Sequence, residues 1–389
     1  MELFLNPVDT AVIYSSEEVS GNTMGSKIKI HTVDAFPDLS GADIALIGIE
    51  EDRNAYNNTG CSLAPDIIRR QFYRLYYQKT MPQIVDLGNL IIGKHPADTY
   101  VALSDILAEL ISYDIIPVIL GGSQDLTYAN YLAYEKLNRI VNIVAIDRQF
   151  DIGREDKPLF SNAYLNKIIL KQPNFLFNYS NIGYQTYFVD PAETELMEKL
   201  LFDTCRLGIA RKDIVECEPV IRSADILSLD MSALRFADSP GCKNITPNGF
   251  SGEEICKIAQ LAGINDKLSS FGIYEYNPLC DLADQSAILI AEIIWYFIDG
   301  ISMRAHDTPD LVKNNFYKYF VSLHDNAYEI VFYKSKDSGL WWMEIPINEA
   351  QRSRYKRHYI VPCSLKDYEI ACTNEIPDRW LQTYKKIKT

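Results

Sequence analysis

The chain has 389 residues, 47% of them apolar and 12% aromatic, which is enough to bury a large core. Its 38 basic and 52 acidic side chains give a formal charge of −14, which argues against nucleic acid or an anionic membrane as a partner. Eight scattered cysteines lack CxxC spacing and the N-terminus lacks a basic, apolar leader, so a reduced cytoplasmic protein is expected.

Residues before about Ser40 are poorly periodic and read as an N-terminal extension. Ile44–Ile49 is a continuous apolar run, the pattern of a parallel strand covered on both faces. Then follow a helix over Pro65–Tyr77, a strand over Ile84–Leu90 and a helix over Ala97–Tyr113. Ile115–Leu120 is a strand ending at Gly121-Gly122, Leu126–Leu137 is a helix, and Ile140–Ile146 is a strand ending at Asp147. Further strands are expected at Asn181–Tyr187, Ile226–Leu229 and Lys267–Tyr274, with helices at Glu193–Leu201, Ser251–Ala262 and Asp284–Phe297. The most apolar helical run, Ala287 to Ile298, contains Glu292 and is too short to span a bilayer.

Repeated strand–helix units imply one parallel sheet with helices on both faces, a three-layer α/β/α domain over residues 1–305. Composition changes at Met303–Asn314, a linker, and residues 306–389 read as a small α+β appendage. Its strands are expected at Tyr317–Leu323, Glu329–Tyr333 and Gly339–Glu344, and its closing helix at Trp380–Ile387. Of Trp341 and Trp342, alternation sends one indole into the appendage core and the other outward or toward a partner.

In parallel sheets, ligands bind beyond the carboxyl ends of the strands. Gln124, Asp147, Asp230 and Glu275 each fall at or just past such an end. Asp147, Gln149 and Asp151 are two apart and face one side if the strand continues, with Arg148 on the other. Asp230 and Ser232 repeat that spacing. The five histidines (His31, His95, His306, His324 and His358) match no such position and read as surface or capping residues.

The segments Gly121-Gly122-Ser123-Gln124-Asp125, Asp147-Arg148-Gln149-Phe150-Asp151 and Ser228-Leu229-Asp230-Met231-Ser232 resemble the GGDHS, DAHxD and SxDxD motifs of the ureohydrolase superfamily of arginases, agmatinases and formimidoylglutamases. Ala64-Pro65-Asp66-Ile67-Ile68-Arg69, the loop from Ser239 to Ser251, and Glu275-Tyr276-Asn277-Pro278 extend the likeness from about Ala42 to Gly300. Ser161-Asn162-Ala163 sits roughly where formimidoylglutamases read SGT. The resemblance implies an arginase-like fold and a two-manganese site for linear amidines, with Glu275 pairing with the amidine. By motif position, site A is Gln124, Asp147, Asp151 and Asp230, and site B is Asp147, Gln149, Asp230 and Ser232.

Two glutamines replace histidines here and a serine replaces an aspartate, so site B keeps only its bridging carboxylates. Glutamine and serine are weak ligands but good donors to carboxylates. The expectation is therefore a binding or scaffold protein that has lost two-manganese catalysis, with no resident cofactor and with the three replacements hydrogen-bonded to the aspartates. The alternative is a divergent formimidoylglutamase-like hydrolase using one Mn2+ or Mg2+ at the site A aspartates. A third reading is a small-molecule sensor that keeps the pocket and Glu275. A protein partner is expected at the appendage, and the resemblance implies a homo-oligomer.

Overall fold

A computed structural model describes residues 1–13, 21–153, 160–309, 315–323 and 328–388. Its main sheet has ten strands: β1 (Leu5–Asn6), β2 (Lys29–Ile30), β3 (Ile44–Ile49), β4 (Ile84–Leu90), β5 (Ile116–Leu120), β6 (Val141–Ile146), β7 (Leu176–Tyr184), β8 (Asp203–Arg206), β9 (Ile226–Asp230) and β10 (Ser270–Tyr274). Their order is β1-β4-β3-β5-β10-β9-β6-β7-β8, with β2 also on β4. All pairs are parallel except β1 with β4.

The continuous apolar runs explain the layering. Along β3, Ile44 and Leu46 join the core on one face, while Ala45, Ile47 and Ile49 join the core on the other. A strand buried on both faces has no polar side to present, so its sequence does not alternate. Helices Pro96–Ser112 and Leu126–Lys136 cover one face. Helices Ala64–Phe72, Gly252–Ile264 and Gln285–Ser302 cover the other.

The last of these helices runs to 18 residues, longer than the sequence suggests, and by length and composition alone it could cross a membrane. Here 61% of that stretch is buried, against the helices Gly252–Ile264 and Ala64–Phe72. No other helix among the described residues is long and apolar enough to cross.

Strand β7 begins earlier than expected, because Asn178 and Ser180 break the apolar pattern but are buried against Asp203 of β8. Strand β8 has no apolar run; it is a short edge with alternating exposure, which periodicity misses. The C-terminal part forms a separate antiparallel sheet: β11 (Phe316–Leu323), β12 (Tyr328–Ser335), β13 (Trp341–Glu344) and β14 (Ile360–Cys363), in that order. Strand β14 went unforeseen, since Pro362 interrupts a short run at the sheet edge. Trp341 packs in this sheet's core, and Trp342 lies against Arg222 of the main domain. Part of the expected linker, residues 310–314, and His324 lie outside the described residues.

Candidate metal centre

Strands β5, β10, β9 and β6 are neighbours in the sheet, so the residues just past their carboxyl ends converge. After β5 the chain must turn sharply. Gly122 has φ +79°, and a Cβ there would lie 2.4 Å from Leu126 Cδ1. Its carbonyl accepts the Glu275 N–H at 3.0 Å, tying the β5 turn to the β10 turn.

Asp147, Asp151 and Asp230 are all buried, and one carboxylate oxygen from each lies within 4.8 Å of the others. The convergence expected for Asp147, Asp151 and Asp230 is therefore present, but alternation is not its cause. Strand β6 stops at Ile146, and Asp151 arrives through a left-handed turn with φ 54°. Strand β9 stops at Asp230, and Ser232 sits in a short turn beyond it. Both motifs close the same local bond: Asp147 Oδ1 accepts the Gln149 N–H at 3.1 Å, and Asp230 Oδ1 accepts the Ser232 N–H at 2.6 Å. Such a side-chain turn fixes each carboxylate relative to its own backbone.

Arg148 does not face away, as strand alternation would have it. It lines the same small cavity as Asp151, Asp230 and Glu275, with its guanidinium 4.4 Å over the Phe188 ring. Ser161, Asn162, Tyr56 and Asn244 also reach this cavity. Its enclosed volume is about 30 Å3, room for an ion and a water.

The three replaced positions behave differently from one another. Gln149 Nε2 donates to Asp151 Oδ1 at 2.7 Å, as expected. Ser232 meets Asp230 through its backbone N–H. Gln124 does not donate to an aspartate. Its Nε2 donates to Ser228 Oγ at 2.9 Å, and its carbonyl oxygen is buried without a hydrogen-bond partner. Asp147 Oδ2 is likewise buried and unpartnered.

Electrostatics make this arrangement costly as it stands. Burial, then Asp151 and Asp230, push the Asp147 carboxyl well above the usual range. Burial, then Asp230, push Asp151 up to about 7. Burial raises Asp230 as well, against the Ser232 bonds and the Arg148 charge. Glu275 is pushed up to about 8 by burial and Asp230. Its Oε1 accepts the Gln124 N–H at 2.9 Å and its Oε2 accepts Asn58 Nδ2 at 2.7 Å. Glu275 also has a left-handed backbone with φ 65°, unusual for a glutamate. Neither Asn58 nor Arg148 was expected in the site; one follows a loop without periodicity and the other was assigned to the wrong side.

The donor set fits a hard divalent cation. Three clustered carboxylates supply charge, and a buried oxygen of Asp147, one of the three, lacks a partner that an ion would provide.

The arginase family model matches residues 42–299. The chain belongs to the arginase family. The formimidoylglutamase of Staphylococcus haemolyticus is 24% identical over 266 residues, covering 66% of this chain and 85% of its own. The crystal structure of formimidoylglutamase from Bacillus subtilis superposes with a TM-score of 0.63 at 20% identity, covering 68% of this chain and 88% of that one. That of Trypanosoma cruzi formiminoglutamase with Mn2+ superposes with a TM-score of 0.62 at 18% identity, covering 69% and 96%. The arginase-like three-layer fold is thus shown, with the small C-terminal sheet lying beyond the matched residues.

These findings correct the expectation of no resident cofactor. The trypanosomal neighbour was solved with manganese, and this chain has a buried aspartate cluster at the carboxyl ends of its strands. The relatives also favour the hydrolase alternative over the scaffold reading.

Of the histidines, His95 caps the helix Pro96–Ser112. His306 is exposed beside Asp266. His31 and His358 are buried instead, each bonded to a backbone carbonyl, Leu87 and Ile140 respectively.

Proposed function

We propose that the chain is a metal-dependent hydrolase of a linear amidine, formimidoylglutamase-like, with a divalent cation, manganese first among candidates, at Asp147, Asp151 and Asp230. The observation that carries this reading is the buried aspartate triad with an unpartnered Asp147 oxygen. The formimidoylglutamase relatives supply the reaction class. When bound, such an ion acts as a Lewis acid and lowers the pKa of a bound water toward neutrality.

The chain's own residues do the rest. Asp147, Asp151 and Asp230 hold the ion, and the Gln124 carbonyl oxygen is the neutral candidate to join them. Gln149 orients Asp151 through its amide. Glu275, clamped by Asn58 and the Gln124 N–H, presents a carboxylate to a cationic amidine. An arriving amidinium favours the ionised form of Glu275 that burial and Asp230 oppose. Arg148 supplies a fixed positive charge at the cavity wall, suited to an acidic substrate such as formimidoylglutamate.

The test is release of glutamate and formamide from formimidoylglutamate by protein loaded with manganese, with metal content measured in parallel. Turnover that needs metal and is lost in Asp230→Asn supports the reading. A protein that retains no manganese, or is loaded but hydrolyses no linear amidine, refutes it.

A further inference from the structure

The C-terminal sheet packs over the amino ends of the main strands, at the end opposite the aspartates. Arg222 Nη2 donates to the carbonyls of Trp341 and Cys363, and Arg357 reaches Asp225 just before β9. Between the two parts lies a cavity of about 550 Å3, within the range of small-molecule sites. A strand of five or six residues separates it from the metal centre, roughly 17–20 Å by strand rise.

Seven lysines and arginines and four aspartates line this cavity, the reverse of the chain's overall balance. Two of the four aspartates are bonded within the protein. Asp203 accepts from Asn178 and Ser180, and Asp307 from Ser335 and Ser338. Two of the cations, Arg222 and Arg379, are less well served. Arg222 is 6% exposed; Glu218 and the two carbonyls take its Nε and Nη2, but its Nη1 is buried without a partner. Arg379 donates Nη2 to the Glu216 carbonyl and leaves Nη1 buried and unpartnered. A buried guanidinium N–H without an acceptor is costly. The same wall carries flat apolar surface: Trp342, with Arg222 4.4 Å over its ring, and Phe177.

We propose that this cavity binds a small organic anion, a phosphate or carboxylate on a planar apolar body, at a site separate from the aspartate centre. The head satisfies Arg379 and Arg222, and the body lies on Trp342. Burial holds Lys267 and Lys386, also on the wall, each down to about 8, so an anion there gains further by fixing their protons.

Inorganic phosphate, AMP and benzoate, titrated separately into the full chain by calorimetry and tryptophan fluorescence, test this. The expected result is saturable binding of at least one with Kd at or below about 1 mM. It is weakened about tenfold by Arg379→Gln, retained in Asp147→Asn, and silent in fluorescence in Trp342→Phe. AMP without benzoate assigns the phosphate class, and benzoate without AMP the carboxylate class. Arg379 is half-buried at the surface, so its variant should fold, checked by circular dichroism. No saturable binding of any probe, binding that Arg379→Gln leaves unchanged, or binding lost in Asp147→Asn overturns the proposal.

Discussion

Two buried carboxylate sites lie at opposite ends of the same sheet, and they titrate in opposite directions. At the amino end, Asp225 is 1% exposed, yet its carboxyl lies below the usual range. Burial pushes it up, but Lys267 at 3.2 Å and Arg357 at 2.7 Å more than offset that. At the carboxyl end, Asp147, Asp151, Asp230 and Glu275 are equally buried and all raised. Depth is the same in both places; what differs is a cation. One end carries its counter-charge in the sequence. The other keeps three carboxylates together with, among the described residues, only Arg148 at the wall, a deficit that a divalent ion corrects.

The largest effect should come from removing a ligand from the unpaired end. Asp230→Asn or Asp147→Asn should lower metal-dependent turnover by about 10³-fold or more, because Lewis-acid stabilisation is worth several kcal/mol. Metal content measured on the same samples should fall with it. At the paired end, Asp225→Asn leaves Lys267 and Arg357 without a counter-charge. Urea unfolding should show a loss of about 3 kcal/mol, the low end for a broken buried pair because Arg357 keeps some solvent. In metal-free protein, Asp151→Asn should instead be neutral or stabilising at pH 8. A loss there comparable to that of Asp225→Asn would break the comparison.

The pH dependence sharpens it. Asp151 and Glu275 ionise near 4 when unfolded but at about 7 and 8 when folded. The folded state thus holds these protons longer, and metal-free stability should fall as pH rises from about 4 through 7 and 8. Asp225 is lowered, so its contribution is present above about 4 and is lost only as pH falls further. Added manganese should therefore raise the melting temperature more at pH 8 than at pH 5. An equal shift at both would show that the carboxylates are not the ligands. Glu275→Gln should leave metal content unchanged and raise the KM for the amidine by about tenfold, the scale of one charge-assisted contact.

How much of this was legible depended on whether a residue sits inside a periodic element. The buried strands β3, β5, β6 and β9 announce themselves by largely apolar runs, and those of β6 and β9 place Asp147 and Asp230 at strand ends. Beyond the last strand residue, alternation no longer governs direction. That is why Arg148 was assigned to the wrong side and why Asp151 reaches the cluster by a left-handed turn instead. Asn58, which holds Glu275, comes from an irregular loop with no pattern to read. The amino-end cluster was invisible for another reason: Asp225 and Lys267 are far apart in sequence, and Arg357 joins them only when the C-terminal sheet docks.

The smallest effect is the most discriminating about the replaced positions. Gln149 Nε2 donates to Asp151 at 2.7 Å, and Asn181 Nδ2 donates to the Gln149 backbone carbonyl at 2.8 Å, so side chain and backbone are each held by one bond. If Gln149 serves to orient a metal ligand, Gln149→Leu removes one hydrogen bond to a charged group, worth about 1.5 kcal/mol. Manganese affinity should then weaken by about tenfold with stoichiometry unchanged. If the amide instead neutralises the cluster in place of an ion, the same change should destabilise metal-free protein and leave metal affinity untouched. Calorimetric titration of manganese alongside melting of the metal-free variant separates the two. A weakened affinity without a loss of metal-free stability ties Gln149 to the ion.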